Sequence, residues 1–345
     1  MRKALAALAL VAVIGTGCAS SAAKAAGSNT VLRLGVFPNL THAPALVGIS
    51  KGIIQKDLGA NTKLKIFTFT SGSEAGNAML AGSIDATYIG PGPTTSLFSK
   101  SGKIAVVSGV TQGGASLVVR TGAGIISPAD LAGKKVADPG VGNTQDVALK
   151  TWLHSNGLKT TDEGGNVTIV PLTKNSDSIQ YFSGKQVDAA WLPEPYPSLL
   201  IAQGLGTKFL DERTLWPSGH FATTGLVVST GYLTAHPDVV KNLVKGNVDS
   251  IRYIRSNPTQ AQQIANTEIV TLGGKSLDAA PLAQAWAEMT FSWDPAAASL
   301  QQDAKNAASL GLIDSVPSNL LSVYELDDLN AILKDLGLPA VPVPA

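Results

Sequence analysis

One cysteine in 345 residues, Cys18, leaves the chain without disulfides, thiolate metal sites or a cysteine nucleophile beyond its first few residues. Charge is equally sparse. Asp, Glu, Lys and Arg make up 15% of the chain, and 26 basic side chains face 25 acidic ones. That balance implies no basic face, so nucleic acid is not an expected partner. There are four histidines and no H-E-x-x-H pattern, and the cleft loop "SGSEAG" is not a G-x-S-x-G elbow, so neither a metal nor a serine nucleophile is indicated. No segment is long and apolar enough to span a bilayer; the N-terminal run "ALAALALVAVI" has eleven residues. What is plentiful is glycine, with 35 residues, alongside an ordinary hydrophobic content of 44%. This combination fits an α/β protein of two or three domains with many turns.

The first residues read as an export signal. "MRK" is a cationic start, the apolar run follows, and small residues lead to Cys18. We expect a leader over 1–17 and a low-complexity tether over 18–30. The setting of Cys18 resembles a bacterial lipobox, although Gly15 stands where an aliphatic residue is preferred. The resemblance implies a diacylated Cys18 and a membrane-anchored, extracytoplasmic protein. An ordinary secretory signal with an incidental cysteine is the alternative, and it gives a periplasmic protein. Loss of Arg2 and Lys3 with the leader takes the formal charge from +1 to −1.

From Val31 onward, short apolar strands alternate with amphipathic helices. "VLRLGVF", "KLKIFTFT", "IDATYIG", "IAVVSGV" and "ASLVVR" read as strands, and Ser73 is the expected N-cap of the helix in "SGSEAGNAMLAGS". A second unit begins at "SPADLAGKKVAD", where Ser127 caps a short helix, and runs through the strands "VTIVPL", "VDAAWL" and "TKFLDE". This order predicts mainly parallel sheets covered by helices. The strands "SLVVRTG" (116–122) and "GLVVSTG" (225–231) echo each other at either end of the second unit. They are expected to be paired crossings between a discontinuous first lobe (31–120 and 225–335) and an inserted second lobe (121–224), which together make a hinge. The alternative is that such apolar triplets are common in strands. Beyond them, "HPDVVKNLVKGNVDSIRYIRSN", "PTQAQQIANTEI", "DAAPLAQAWAEMTF" and "SVYELDDLNAILKDLGL" read as helices.

In such sheets, ligands sit beyond the carboxyl ends of the strands. The loops there are "PNLTH", "TSGSEAG", "GPGPTT", "TQGGAS", "PGVGNTQD", "WLPEPYP" and "HFATTG", and none contains lysine or arginine. They supply Asn39, Thr41, His42, Ser71, Gly72, Gly90, Pro91, Gln112, Gly113, Asn143, Thr144, Gln145 and Thr223 as candidate ligand contacts. Hydroxyls, amides and the free N–H groups at helix starts can hold a small anion without formal charge. "GVGNTQD" lacks the third glycine of a dinucleotide fingerprint, and the P-loop pattern is absent. Gly142, Asn143 and Thr144 are therefore assigned to an anion site at a helix start, with plain capping by Asn143 or Thr144 as the alternative. His42 and His220 are candidate donors, whereas His154 and His236 read as structural or exposed. Trp191 either closes over an apolar part of a ligand or is a core tryptophan. Glu194 would repel an anion unless it meets a cationic or hydroxyl group.

The stretches "AGSIDATYIGPGPTTSLF", "LAGKKVADPGVGNTQDVALKTWLHSNGL" and "SGKQVDAAWLPEPYPSLLIAQG", in this order, resemble the solute-binding proteins of ABC importers for aliphatic sulfonates, nitrate and taurine. The resemblance extends from Leu32 to Lys334. It implies a type II periplasmic-binding-protein fold whose two lobes close on a solute. It also implies a monomer that needs no cofactor and works with a membrane permease. It places Tyr88, Gly90, Pro91, Asn143, Thr144, Gln145, Trp191 and Glu194 at the cleft. One departure is "GNTQ", where sulfonate binders carry a serine-rich turn. An aliphatic sulfonate is the expected solute. Nitrate, taurine, bicarbonate and a thiamine-precursor pyrimidine are the alternatives, with Glu194 favouring an amine-bearing solute such as taurine. Pyrimidine synthases that resemble these binders would need a cofactor-binding lysine and a cysteine-rich motif. Past Cys18 there is no cysteine, so an enzyme is not expected.

Overall fold

The computed structural model describes residues 30–342. The expected leader and Cys18 lie outside the described residues. The chain first alternates β1 (Thr30–Val36), α1 (Ala43–Ser50), α2 (Ile53–Leu58), β2 (Thr62–Thr68), α3 (Gly72–Leu80), β3 (Ala86–Ile89), α4 (Pro91–Ser101) and β4 (Ile104–Gly113). It then builds β5 (Ala115–Arg120), β6 (Lys135–Asp138), α5 (Thr144–Ser155), β7 (Thr168–Pro171), α6 (Asp177–Ser183), β8 (Ala189–Pro193), α7 (Tyr196–Ala202) and β9 (Gly206–Asp211). It returns with β10 (Ala222–Ser229), α8 (Thr230–Ala235), α9 (Pro237–Ser256), α10 (Pro258–Thr271), α11 (Ala279–Ala287), β11 (Met289–Phe291), α12 (Ala297–Ser309) and α13 (Asp327–Asp335).

Two sheets result, ordered β11-β4-β10-β3-β1-β2 and β7-β6-β8-β5-β9. In each, four strands run one way. The strand that interrupts them, β10 or β5, is antiparallel to both its neighbours. Both faces of the second sheet are covered, so its strands alternate between two cores. Leu117, Val136 and Trp191 face one way, and Val118, Ala137 and Leu192 the other. The long helix α9 shows the other periodicity, burying Val240, Leu243, Val244, Val248, Ile251 and Ile254 at steps of three and four.

Four local expectations need correction. The two echoing strands do not end at crossings: β5 is hydrogen-bonded within the second sheet and β10 within the first. The chain changes sheet at Gly113–Gly114, both left-handed with φ of 73° and 74°, and returns between Asp211 and Ala222. Apolar alternation marks a strand without saying which sheet it joins. Ser71, not Ser73, caps α3, its Oγ accepting from the Glu74 N–H at 3.2 Å. "MTF", read as the end of a helix, is strand β11 on the edge of β4. Helix α12 also stands apart from the four helices read in that region.

Helix α12 braces the return crossing. Its Ser299 Oγ accepts from the Ala222 N–H at 2.9 Å. One turn on, Asp303 is buried beside Glu212, and burial is the first cause that pushes its carboxyl from 3.8 up to about 8. Burial likewise raises Glu212 to about 7, although the Trp191 Nε1–H donates to it at 2.7 Å. For both groups the folded value lies above the unfolded one. The stability they contribute is therefore full below the unfolded pKa and is lost as pH rises through the folded one. Asp303→Asn is accordingly expected to raise Tm more at pH 8 than at pH 5. Thermal unfolding at the two pH values checks this, and a pH-independent difference would contradict it.

Candidate functional site

The carboxyl ends of the parallel strands in both sheets, and the start of β10, meet around a cavity of about 40 Å³. From the first half, the loop after β1 contributes Phe37, Asn39, Thr41 and His42. The entry to α3 contributes Thr70, Ser71 and Gly72, the start of α4 contributes Gly90 and Pro93, and β10 contributes Thr223 and Thr224. From the second half come Pro139, Asn143, Thr144 and Gln145 at the start of α5, Asn175 after β7, and Pro193 at the end of β8. Among the described residues, no aspartate, glutamate, lysine or arginine lines this cavity.

Helices α3, α4 and α5 all begin here, so their free N–H groups and positive dipole ends converge. Part of that hydrogen-bonding capacity joins the halves. The Gly72 N–H donates to Asn143 Oδ1 at 3.0 Å, the Gly92 N–H to Thr144 Oγ1 at 3.3 Å, and Ser73 Oγ to the Val141 carbonyl at 3.3 Å. Asn143 Nδ2 donates back to the Pro139 and Gly140 carbonyls, which fixes the turn of its amide. Glycine is required for this approach. A Cβ on Gly90 would sit 2.3 Å from Thr144 Oγ1 and 2.9 Å from the Thr223 carbonyl. One on Gly92 would sit 2.9 Å from the Thr144 nitrogen. Pro91, between them, occupies the first turn of α4, where a missing N–H costs nothing. Beside this junction, Val147 of α5 packs on Ala307 of α12 and on Ile313 just beyond it, a small apolar contact that also spans the halves.

The electrostatics keep the site free of formal charge. His42 is buried and stacked on Phe37, with ring centroids 4.4 Å apart. Its Nδ1 accepts from the Phe37 N–H at 3.3 Å, so its proton sits on Nε2. Burial lowers its pKa to about 3, which makes it a neutral donor. Behind the α5 turn, Asp146 Oδ2 accepts from the Gly142 N–H at 2.8 Å and Asp146 pairs with Lys150. Burial first, and then the adjacent Asp146, hold the Asp138 carboxyl well above the usual range.

The remaining candidates lie elsewhere. Tyr88 is fully buried behind His42, with ring centroids 6.2 Å apart, and its hydroxyl has no partner among the described residues. Gln112 is engaged by the Asp294 carbonyl and by His220, which is itself exposed. Gly113 belongs to the crossing, and its carbonyl accepts from Thr223 Oγ1. Trp191 is 0% exposed in the core of the second sheet, with its N–H on Glu212, and takes the core role. Glu194 is buried with its carboxylate on Ser198 Oγ at 3.0 Å and its pKa raised to about 7, chiefly by burial. Its backbone N–H donates to the Gly114 carbonyl at 2.8 Å, so it secures the crossing rather than lining the cavity. Of the lining residues not named individually from the sequence, Thr70, Pro93, Pro139, Pro193 and Thr224 lie in the loops it singled out, whereas Phe37 and Asn175 lie outside them. Asn175 follows the strand "VTIVPL", and the carboxyl-end rule applied to that strand would have found it.

Gly90→Ala is expected to force Thr144 away and separate the halves. Small-angle scattering would read this as a larger radius of gyration. Gly231→Ala, with nothing within 4 Å, is expected to leave that radius unchanged.

Residues 25–270 match the model of the NMT1-like family. A protein of Brucella abortus (strain 2308), named as a binding protein without a stated ligand, is 30% identical over 249 residues, covering 67% of this chain and 72% of that one. The taurine-binding periplasmic protein of Escherichia coli (strain K12) is 26% identical over 218 residues, covering 62% of this chain and 64% of its own length. Among solved structures, the alkanesulfonate-binding protein of Xanthomonas axonopodis pv. citri, bound to MOPS, superposes with a TM-score of 0.73 at 18% identity, covering 88% of this chain and 100% of that one. At that identity the match establishes the fold, a periplasmic-binding-protein architecture, which the two interrupted sheets display directly. The chain belongs to the NMT1-like family, and its sequence relatives are named as binding proteins.

Proposed function

We propose that the protein captures a small anionic solute, an aliphatic sulfonate first, between two lobes outside the cytoplasm and delivers it to a membrane permease. The lobes are residues 30–113 with 222–342, and residues 115–211. The Gly113–Gly114 pair and the segment 212–221 form the hinge. Cys18 is the proposed lipid anchor. The observation that carries this reading is the convergence of three helix starts and neutral donors on a cavity with no carboxylate in its wall among the described residues.

The energetics are adequate without a lysine or arginine. Micromolar binding corresponds to about −8 kcal/mol. Hydrogen bonds to a charged acceptor contribute about 1.5–3 kcal/mol each. A short alkyl chain against Phe37, Pro93 and Pro193 adds about 0.8 kcal/mol per buried CH₂. Contacts such as Gly72 with Asn143 exist only when the lobes meet, so a solute touching both lobes shifts the population toward closure. The taurine-binding relative and the alkanesulfonate-binding neighbour support a sulfonate head group. The argument for an amine from Glu194 is lost, since that side chain is turned to Ser198.

A thermal-shift panel of alkanesulfonates, nitrate, bicarbonate, sulfate and pyrimidines is expected to raise Tm with sulfonates. A shift with pyrimidines alone would contradict the anionic reading. Thr144→Val is expected to weaken the binding of whichever anion responds by about tenfold, or about 1.4 kcal/mol, while leaving the fold intact. Titration calorimetry reads that change, and equal affinity would return Thr144 to a structural role.

A further inference from the structure

The turn that offers Asn143, Thr144 and Gln145 to the cavity is closed at its base by two acids. Asp138 ends β6, Asp146 lies in the first turn of α5, and both are 0% exposed. Each holds the turn by one oxygen. Asp138 Oδ1 accepts from the Gly140 N–H at 2.7 Å, and Asp146 Oδ2 from the Gly142 N–H at 2.8 Å. The two carboxyl groups also meet each other in a side-chain hydrogen bond. Carboxylates only accept, so that bond requires a proton. The charges agree with this: Lys150, 2.8 Å from Asp146, can balance one of two buried negative charges and leaves the other over. The strands beside Asp138 bring no charge against it, since its register partner on β7 is Pro171, and Trp191 of β8 gives its N–H to Glu212. Of the helices packed on α5, α4 carries only the exposed Lys100, and α12 carries the buried Asp303 and the exposed Lys305.

We propose that Asp138 and Asp146 share one proton and act together, through the turn between them, as positioning residues for the solute. This rests on the anion reading above. Pro139, Asn143, Thr144 and Gln145 line the cavity and lie between the two acids in the chain. With the proton in place, the pair clasps the turn. Without it, two like charges part the ends of the turn and carry the Gly140 and Gly142 N–H groups with them. They also set a further negative charge behind the wall of an anion site. Both effects weaken binding, and by linkage a bound anion makes the pair hold its proton more firmly. Burial and then the neighbouring acid favour the protonated form of Asp138. Solute affinity is therefore full at low pH and falls as pH rises through the pair's raised value. His42, lowered to about 3 by burial, is neutral throughout that range and does not produce the effect.

Calorimetric titration of the full-length protein with ethanesulfonate, at pH values from about 5 to about 9, tests this, because a sulfonate stays ionised throughout. Wild-type affinity is expected to fall with rising pH by up to about tenfold per unit, the limit for one proton. Asp138→Asn, whose amide N–H supplies the bridging hydrogen permanently, is expected to flatten the profile, and Asp303→Asn to retain the slope. A flat wild-type profile would overturn the proposal, as would a slope that survives in Asp138→Asn or disappears in Asp303→Asn. Should Asp138→Asn not fold, proton uptake by the wild type decides. Binding heats in buffers of different ionisation enthalpy are expected to show a proton taken up with the solute, and no uptake overturns the proposal. If ethanesulfonate binds at no pH, the solute reading itself fails and this inference with it.

Discussion

The arrangement depends on one contact: the start of α5, in the second half, set against the starts of α3 and α4 in the first. Asn143 and Thr144 accept the N–H groups of Gly72 and Gly92, and glycines at 90 and 92 leave room for them. Helix starts carry unsatisfied donors and positive partial charge, so bringing three together repels unless acceptors lie between them. Side-chain oxygens supply some of those acceptors, and an anionic guest would supply the rest. The same feature therefore explains why the halves can meet and why the space between them suits negative charge.

The surroundings adjust this contact without adding charge. Desolvation keeps His42 neutral, and burial beside Asp146 raises Asp138. The crossings are narrow. Two consecutive left-handed glycines carry the chain one way, and a segment braced by Ser299 brings it back. Glu194, which looked like a ligand contact, is a fastener at the first crossing, holding the Gly114 carbonyl through its N–H. Two short covalent crossings join the halves, supported by side-chain contact at the cleft, by the Lys208–Glu288 and Arg213–Glu288 ion pairs and by Leu199 packed on the first half. A separate sheet and core in each half suits a motion in which each stays rigid.

Much of this was legible in the sequence, for identifiable reasons. Periodicities of two and near 3.6 gave most strands and helices, and the carboxyl-end rule pointed to loops that do line the cavity, including those of Asn39, Ser71, Asn143 and Thr223. Local pattern failed where the answer depended on packing between distant segments. Nothing in "SLVVRTG" says that β5 joins the second sheet, because pairing is decided by partners far along the chain. Trp191 and Glu194 lie beside a cleft loop in sequence, yet the strand's alternation turns Trp191 into the core and Ser198 draws Glu194 aside. "MTF" continues an apolar helical pattern and becomes a strand only because β4 offers it an edge.

The central claim, that two rigid halves close over the solute, is tested most directly by a distance between them. Spin labels at exposed Lys63 and Lys185, in a Cys18→Ser background, report it by pulsed dipolar spectroscopy. Saturating solute is expected to convert a broad distribution into a shorter, narrower one. A distribution that stays the same while calorimetry shows the solute bound would contradict the account.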